Sequence, residues 1–87
     1  MKYKITVTQE HIDKGDVGSS HSCPVAIACK DAGLIDPCVD KLVISQELSD
    51  GAVIGIYTPI KVAEFIENFD AGKEVKPIEF ELDYKEE

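Results

Sequence analysis

The residue pattern predicts a small α+β domain, and three observations carry that expectation. Segments near the two ends alternate apolar and polar side chains, as half-buried strands do. Two central segments are apolar at neighbouring positions on either side of an Asp-Gly turn signal. Two further stretches repeat their apolar residues at helical spacing, each opening on a proline and closing on a glycine.

Residues 2–8 put Tyr3, Ile5 and Val7 on one face and Lys2, Lys4, Thr6 and Thr8 on the other, a strand with one wet side. Thr8 is placed to cap a short helical turn through Gln9, Glu10 and His11, which Gly15 ends. Residues 16–22 form a polar loop. Pro24 suits the first position of a helix and Gly33 the position past its end. Val25, Ala28, Cys29 and Ala32 share its apolar stripe, and Ile27 lies on the far side. Residues 34–40, marked by Pro37, are a connection. Residues 41–46 and 52–58 read as two strands joined around Ser49-Asp50-Gly51. Leu42, Val43 and Ile44, then Val53, Ile54 and Ile56, give both strands two apolar faces, and Gly55 marks a bulge or a close approach.

Thr58 is placed to cap the next helix and Pro59 to start it, and its stripe is Val62, Phe65, Ile66 and Phe69. Gly72 closes it, with Lys73 complementing its negative end. Residues 76–84 alternate Ile78, Phe80, Leu82 and Tyr84 with Glu79, Glu81 and Asp83. Residues 85–87 are expected to fray. Residues 1–84 thus form one domain in the order β-α-β-β-α-β. That order is the split arrangement of ferredoxin-like domains, which implies two layers: a four-stranded antiparallel sheet with the helices on one face. Its first and last strands pair, setting Lys2 and Lys4 across from Glu79, Glu81 and Asp83.

With 87 residues the core is thin. No apolar run reaches the roughly 18 residues of a membrane span, and the alternating start is unlike a signal peptide. A cytoplasmic setting with reduced thiols is expected, with no membrane partner. The net charge of −8 is unevenly spread: residues 31–87 hold five lysines against fourteen acids, and the chain has no arginine. Direct nucleic-acid binding is disfavoured, and a basic protein surface is the natural complement.

Three groups of residues carry candidate chemistry. The loop of residues 15–24 leads Gly18, Ser19, Ser20, His21, Ser22 and Cys23 into a helix start, where free N–H groups and the helix dipole favour a phosphate-containing ligand. It lacks the Gly-Lys-Ser/Thr ending of a nucleotide-binding loop, and a plain surface loop has the same composition. Cys23 at that helix start, two residues from His21, has the setting of an activated thiol, although a cysteine there is more often inert. The acidic residues Glu64, Glu67 and Asp70, with Glu79, Glu81 and Asp83, form rows that suit a basic partner or serve simply as solvated faces. The spacings of Cys23, Cys29, Cys38, His11 and His21 fit no metal site, and no cofactor is expected. The doubly apolar strands predict a homodimer through residues 41–58, unless residues 34–40 fold back over the second face.

Two segments also carry a resemblance. Residues 5–15 (Ile-Thr-Val-Thr-Gln-Glu-His-Ile-Asp-Lys-Gly) and 23–33 (Cys-Pro-Val-Ala-Ile-Ala-Cys-Lys-Asp-Ala-Gly) are similar to a group of small bacteriophage and prophage proteins. The resemblance covers the first third of the chain and brings no catalytic residue, because that group has no established activity. It implies a phage-encoded accessory protein in the host cytoplasm. The expected function is therefore a non-enzymatic acidic protein that blocks a host or defence protein. The alternatives are a sponge for a phosphate-bearing ligand or nucleotide signal at residues 15–24, and a thiol-dependent enzyme using Cys23.

Overall fold

Tyr3, Ile5 and Val7 alternate with charged or hydroxyl residues, and this pattern pairs with the alternation of the chain's last strand. In the computed structural model, which describes residues 2–84, β1 (Lys2–Val7) runs antiparallel to β5 (Ile78–Asp83). Ile5 lies opposite Phe80 and Tyr3 opposite Leu82 on the inner face, while Lys4 lies opposite Glu81 and Thr6 opposite Glu79 on the outer one. Met1 and residues 85–87, including the expected frayed tail, lie outside the described residues.

Thr8 caps α1 (Gln9–Lys14) reciprocally with His11: its hydroxyl accepts from His11 N–H, and its own N–H donates to His11 Nδ1 at 2.9 Å. Gly15 turns the chain towards α2 (Pro24–Asp31), and a Cβ at Gly15 would run into the Pro24 ring. Pro24, Val25, Ala26, Ala28 and Cys29 are all buried, so α2 is covered on more than the stripe read from its spacing. Ile27, expected on the far side, is half-buried.

The central strands are β2 (Cys38–Val39), β3 (Val43–Glu47) and β4 (Val53–Tyr57), an antiparallel sheet in that order. The segment expected to be a plain connection supplies β2, which pairs Val39 with Ile44 along the edge of β3 and leaves Val43, Val53 and Tyr57 of the hairpin exposed. Helix α3 (Ile60–Asp70) buries Val62, Phe65 and Ile66, with the Phe69 ring stacked on Phe65. Thr58 does not cap it. Its hydroxyl donates instead to the Asp40 carbonyl at 2.8 Å and fastens the open end of the hairpin.

The expected four-stranded ferredoxin-like sheet is corrected. The strands form two antiparallel sheets, β1-β5 and β2-β3-β4, with three helices. The split order and the pairing of first with last strand are present, but a single sheet would also need β1 beside β4, and those edges do not pair. Element order determines which strands exist, not which edges meet. The sheets share one core, in which Ile44 of the hairpin clusters with Ile5, Val7, Phe80 and Leu82. No helix among the described residues is long and apolar enough to cross a membrane.

Candidate functional site

The loop of residues 15–24 is ordered by hydrogen bonds to its own chain. Asp16 N–H donates to Ser22 O, Cys23 N–H to Ser19 O, and Ser22 N–H to Ser19 Oγ. Gly18 takes the left-handed backbone (φ 72°), and its N–H donates to a carboxylate oxygen of Asp70 at 3.0 Å. At the start of α2, Ala26 N–H donates to Cys23 Sγ, so the thiol sulfur is the helix cap. The positions where an external anion would sit at Gly18 and at the helix start are therefore held by Asp70 and by Cys23.

Gly18, Ser19, Ser20 and Cys23 do gather around one groove of about 140 Å³, between the loop and α3. Asp40, Lys41 and Asp70 also line it, and two carboxylates against one ammonium oppose a phosphate. The other two loop residues stand apart. His21 is exposed, with Nδ1 3.3 Å from the Pro37 carbonyl, and Ser22 is engaged within the loop.

The surroundings of Cys23 favour the thiol over the thiolate. The residue is 4% exposed, and burial pushes its pKa up, outweighing the N–H groups of Ala26 and Val25 that pull it down. His21 faces Pro37 rather than the sulfur. Cys29, fully enclosed, is pushed up to about 12, by burial first and by Cys23 second. Among the described residues, no group of three His, Cys, Asp or Glu side chains is placed to hold a metal.

The acidic residues all reach solvent. Glu79 is neutralised locally by Lys4 at 3.4 Å and also accepts from Thr6 Oγ1. Asp70 is engaged with Gly18. Glu64 and Glu67, on the outer side of α3, and Glu81 and Asp83, on the outer side of β5, have no ion pair among the described residues. Lys14 is already paired with Glu10.

Two residues not singled out by sequence reasoning stand out. His11 is buried, and its Nε2–H donates to Asp31 at 2.7 Å, since Nδ1 accepts from Thr8. This bond clamps α1 to α2. The signal for it was Thr8-x-x-His11, a capping-box spacing with histidine in the usual Glu/Gln place. Gln46 is 2% exposed on β3, and its Nε2 has no hydrogen-bond partner among the described residues. It borders a cavity of about 420 Å³ with Tyr3 and Ile35, and no sequence signal distinguished it.

No protein-family model matches this chain, and no curated protein or solved structure matches it significantly.

Proposed function

We propose that this chain is a non-enzymatic binding protein that occupies a basic surface on another protein. The setting implied by its opening third makes that partner a host or defence factor in the cytoplasm of a bacterium. One observation supports this reading above the rest. Glu64, Glu67, Glu81 and Asp83 stand outward on α3 and β5 with no ion pair among the described residues, although Lys2 and Lys4 face Asp83 and Glu81 across the ladder, while Lys4 and Lys14 pair with Glu79 and Glu10. Uncompensated charge of one sign steers a partner of the other and sets the rate of encounter.

The test is capture from a bacterial host lysate by the immobilised chain, compared with a Glu64→Lys/Glu67→Lys variant. Asp70 is left intact because its replacement would disturb the loop. Capture should weaken steeply with added salt and be lost in the variant. Capture that withstands both changes would rule out the acidic face as the contact.

A further inference from the structure

Beyond that reading, the outer edge of β4 has the properties of a strand that pairs with its own copy. In the β3-β4 ladder, Leu48 N–H donates to Ala52 O, and Thr58 N–H donates to Leu42 O. Hydrogen-bonded pairs alternate along an antiparallel ladder, so Ala52, Ile54, Ile56 and Thr58 turn their main-chain groups towards β3. Val53, Gly55 and Tyr57 turn theirs outward, and no other described residue bonds to them. The side chains of the same residues lie on the exposed face, with Val53 65% and Tyr57 88% exposed, and Val43 sits opposite Tyr57.

An unpaired apolar edge is ordinarily blunted by charge, proline or brevity. The other edges are blunted in these ways: β2 is two residues long and runs directly out of Pro37, β1 carries Lys2 and Lys4, and β5 carries Glu79, Glu81 and Asp83. The β4 sequence Val-Ile-Gly-Ile-Tyr has none of these devices.

We propose that two copies of the chain join through β4, antiparallel about a two-fold axis at Gly55, into one continuous six-stranded sheet. In that register Val53 meets Tyr57 of the second copy, and Gly55 meets Gly55. Every outward N–H and C=O of the three residues then finds a partner. The half-buried Ile54 and Ile56 face each other's counterparts on the inner side. Val53 against Tyr57 is a β-branched–aromatic pair of the kind that stabilises sheets. The charges agree as well. The turn end of the hairpin carries Glu47 and Asp50, and the open end carries Lys41 beside Asp40 and leads to Lys61, so an antiparallel pairing sets each acidic turn end beside the partner's open end, where lysines outnumber acids two to one. A second copy fits this edge because the edge is complementary to itself, without charge along the strand.

Sedimentation of the full chain at on the order of 100 μM, where even modest interfaces assemble, is the test. The wild type should sediment at twice 9.5 kDa. Val53→Lys/Tyr57→Lys sets lysine against lysine across both pairs and should raise the dissociation constant at least ~100-fold. Val53→Glu/Tyr57→Lys sets glutamate against lysine at the same pairs and should keep the dimer. Both side chains are exposed, so far-ultraviolet circular dichroism should show both variants folded. A wild type that sediments at 9.5 kDa overturns the proposal, whatever else binds the edge. So does a dimer that survives Val53→Lys/Tyr57→Lys. Equal dissociation of the two variants overturns the antiparallel register.

Discussion

The Tyr84 hydroxyl donates a hydrogen bond of 2.9 Å to the main-chain carbonyl of Ile44, linking the end of the β1-β5 sheet to the middle strand of the other. The Tyr84 ring is enclosed and meets Tyr3 edge to face, with centroids 5.9 Å apart. This one side chain does part of what edge-to-edge pairing would do in a single sheet.

Tyr84→Phe should therefore cost about 1 kcal/mol, because the Ile44 carbonyl keeps its ladder partner Ile56 while losing one bond. Tyr84→Ala removes the ring from the core as well and should cost about 3–5 kcal/mol. Urea denaturation of both variants measures the two losses. Equal values would mean that the ring's packing contributes nothing.

Alkali should weaken the fold through its buried thiols. Cys29 ionises near its ordinary 9.0 in the unfolded chain but holds its proton to about 12 in the folded one. Between those values the unfolded state binds fewer protons, so stability falls as pH rises through this window and is unaffected below it. Cys23 shifts in the same direction, and so does Tyr84, from its ordinary 10.0. Unfolding free energies at pH ~8 and pH ~10.5 should differ by about 2 kcal/mol from Cys29, with Cys23 and Tyr84 adding in the same direction. Cys29→Ala should flatten that slope without removing it. An identical slope in the variant would place the alkaline sensitivity elsewhere.

Asp70 answers a different question, because it holds Gly18 as an external anion would. Asp70→Ala should speed exchange of the Gly18 amide and cost about 0.5–1.5 kcal/mol, the net worth of an ordinary hydrogen bond. Inorganic phosphate should leave the wild type's melting temperature unchanged, since Asp70 and Cys23 occupy those positions. A rise with phosphate in the wild type would return the loop to the list of ligand sites.

What the sequence made legible was local. The stripe Val62, Phe65, Ile66 and Phe69 located α3, and the alternation from Ile78 to Tyr84 located β5 together with its inner face. Thr8 and Gly15 bounded α1 as expected. What escaped depends on contacts between distant residues. β2 exists because Val39 meets Ile44, and two residues carry no period of their own. Thr58 looked like a cap, but the Asp40 carbonyl, folded alongside it, takes the hydroxyl. The expected lowering of the Cys23 pKa followed from the helix dipole alone. Burial of the thiol, which only tertiary packing decides, reverses its sign. Of the loop residues Gly18 to Cys23 the groove gathers four and leaves His21 and Ser22 apart, and the carboxylate that holds Gly18, Asp70, lies 52 residues away.

Gln46 supplies the last test. It lies on the inner face of β3, two residues from Ile44 and opposite Ile54 in the ladder, and with His11 it is one of the buried residues that are neither aliphatic, aromatic nor cysteine. His11 has a partner on each ring nitrogen. The Gln46 Nε2 has none among the described residues, and a buried donor left unbonded costs roughly 1–3 kcal/mol. Methionine has nearly the same length and shape and carries no donor. Gln46→Met should therefore stabilise the fold by about 1 kcal/mol, read as a higher urea midpoint at unchanged slope. Leucine at the same position is a poorer match in shape and should gain less. A loss of stability in Gln46→Met would show that the amide is bonded in solution. It would then direct attention to the adjoining cavity beside Tyr3 and Ile35 as the place where its partner sits.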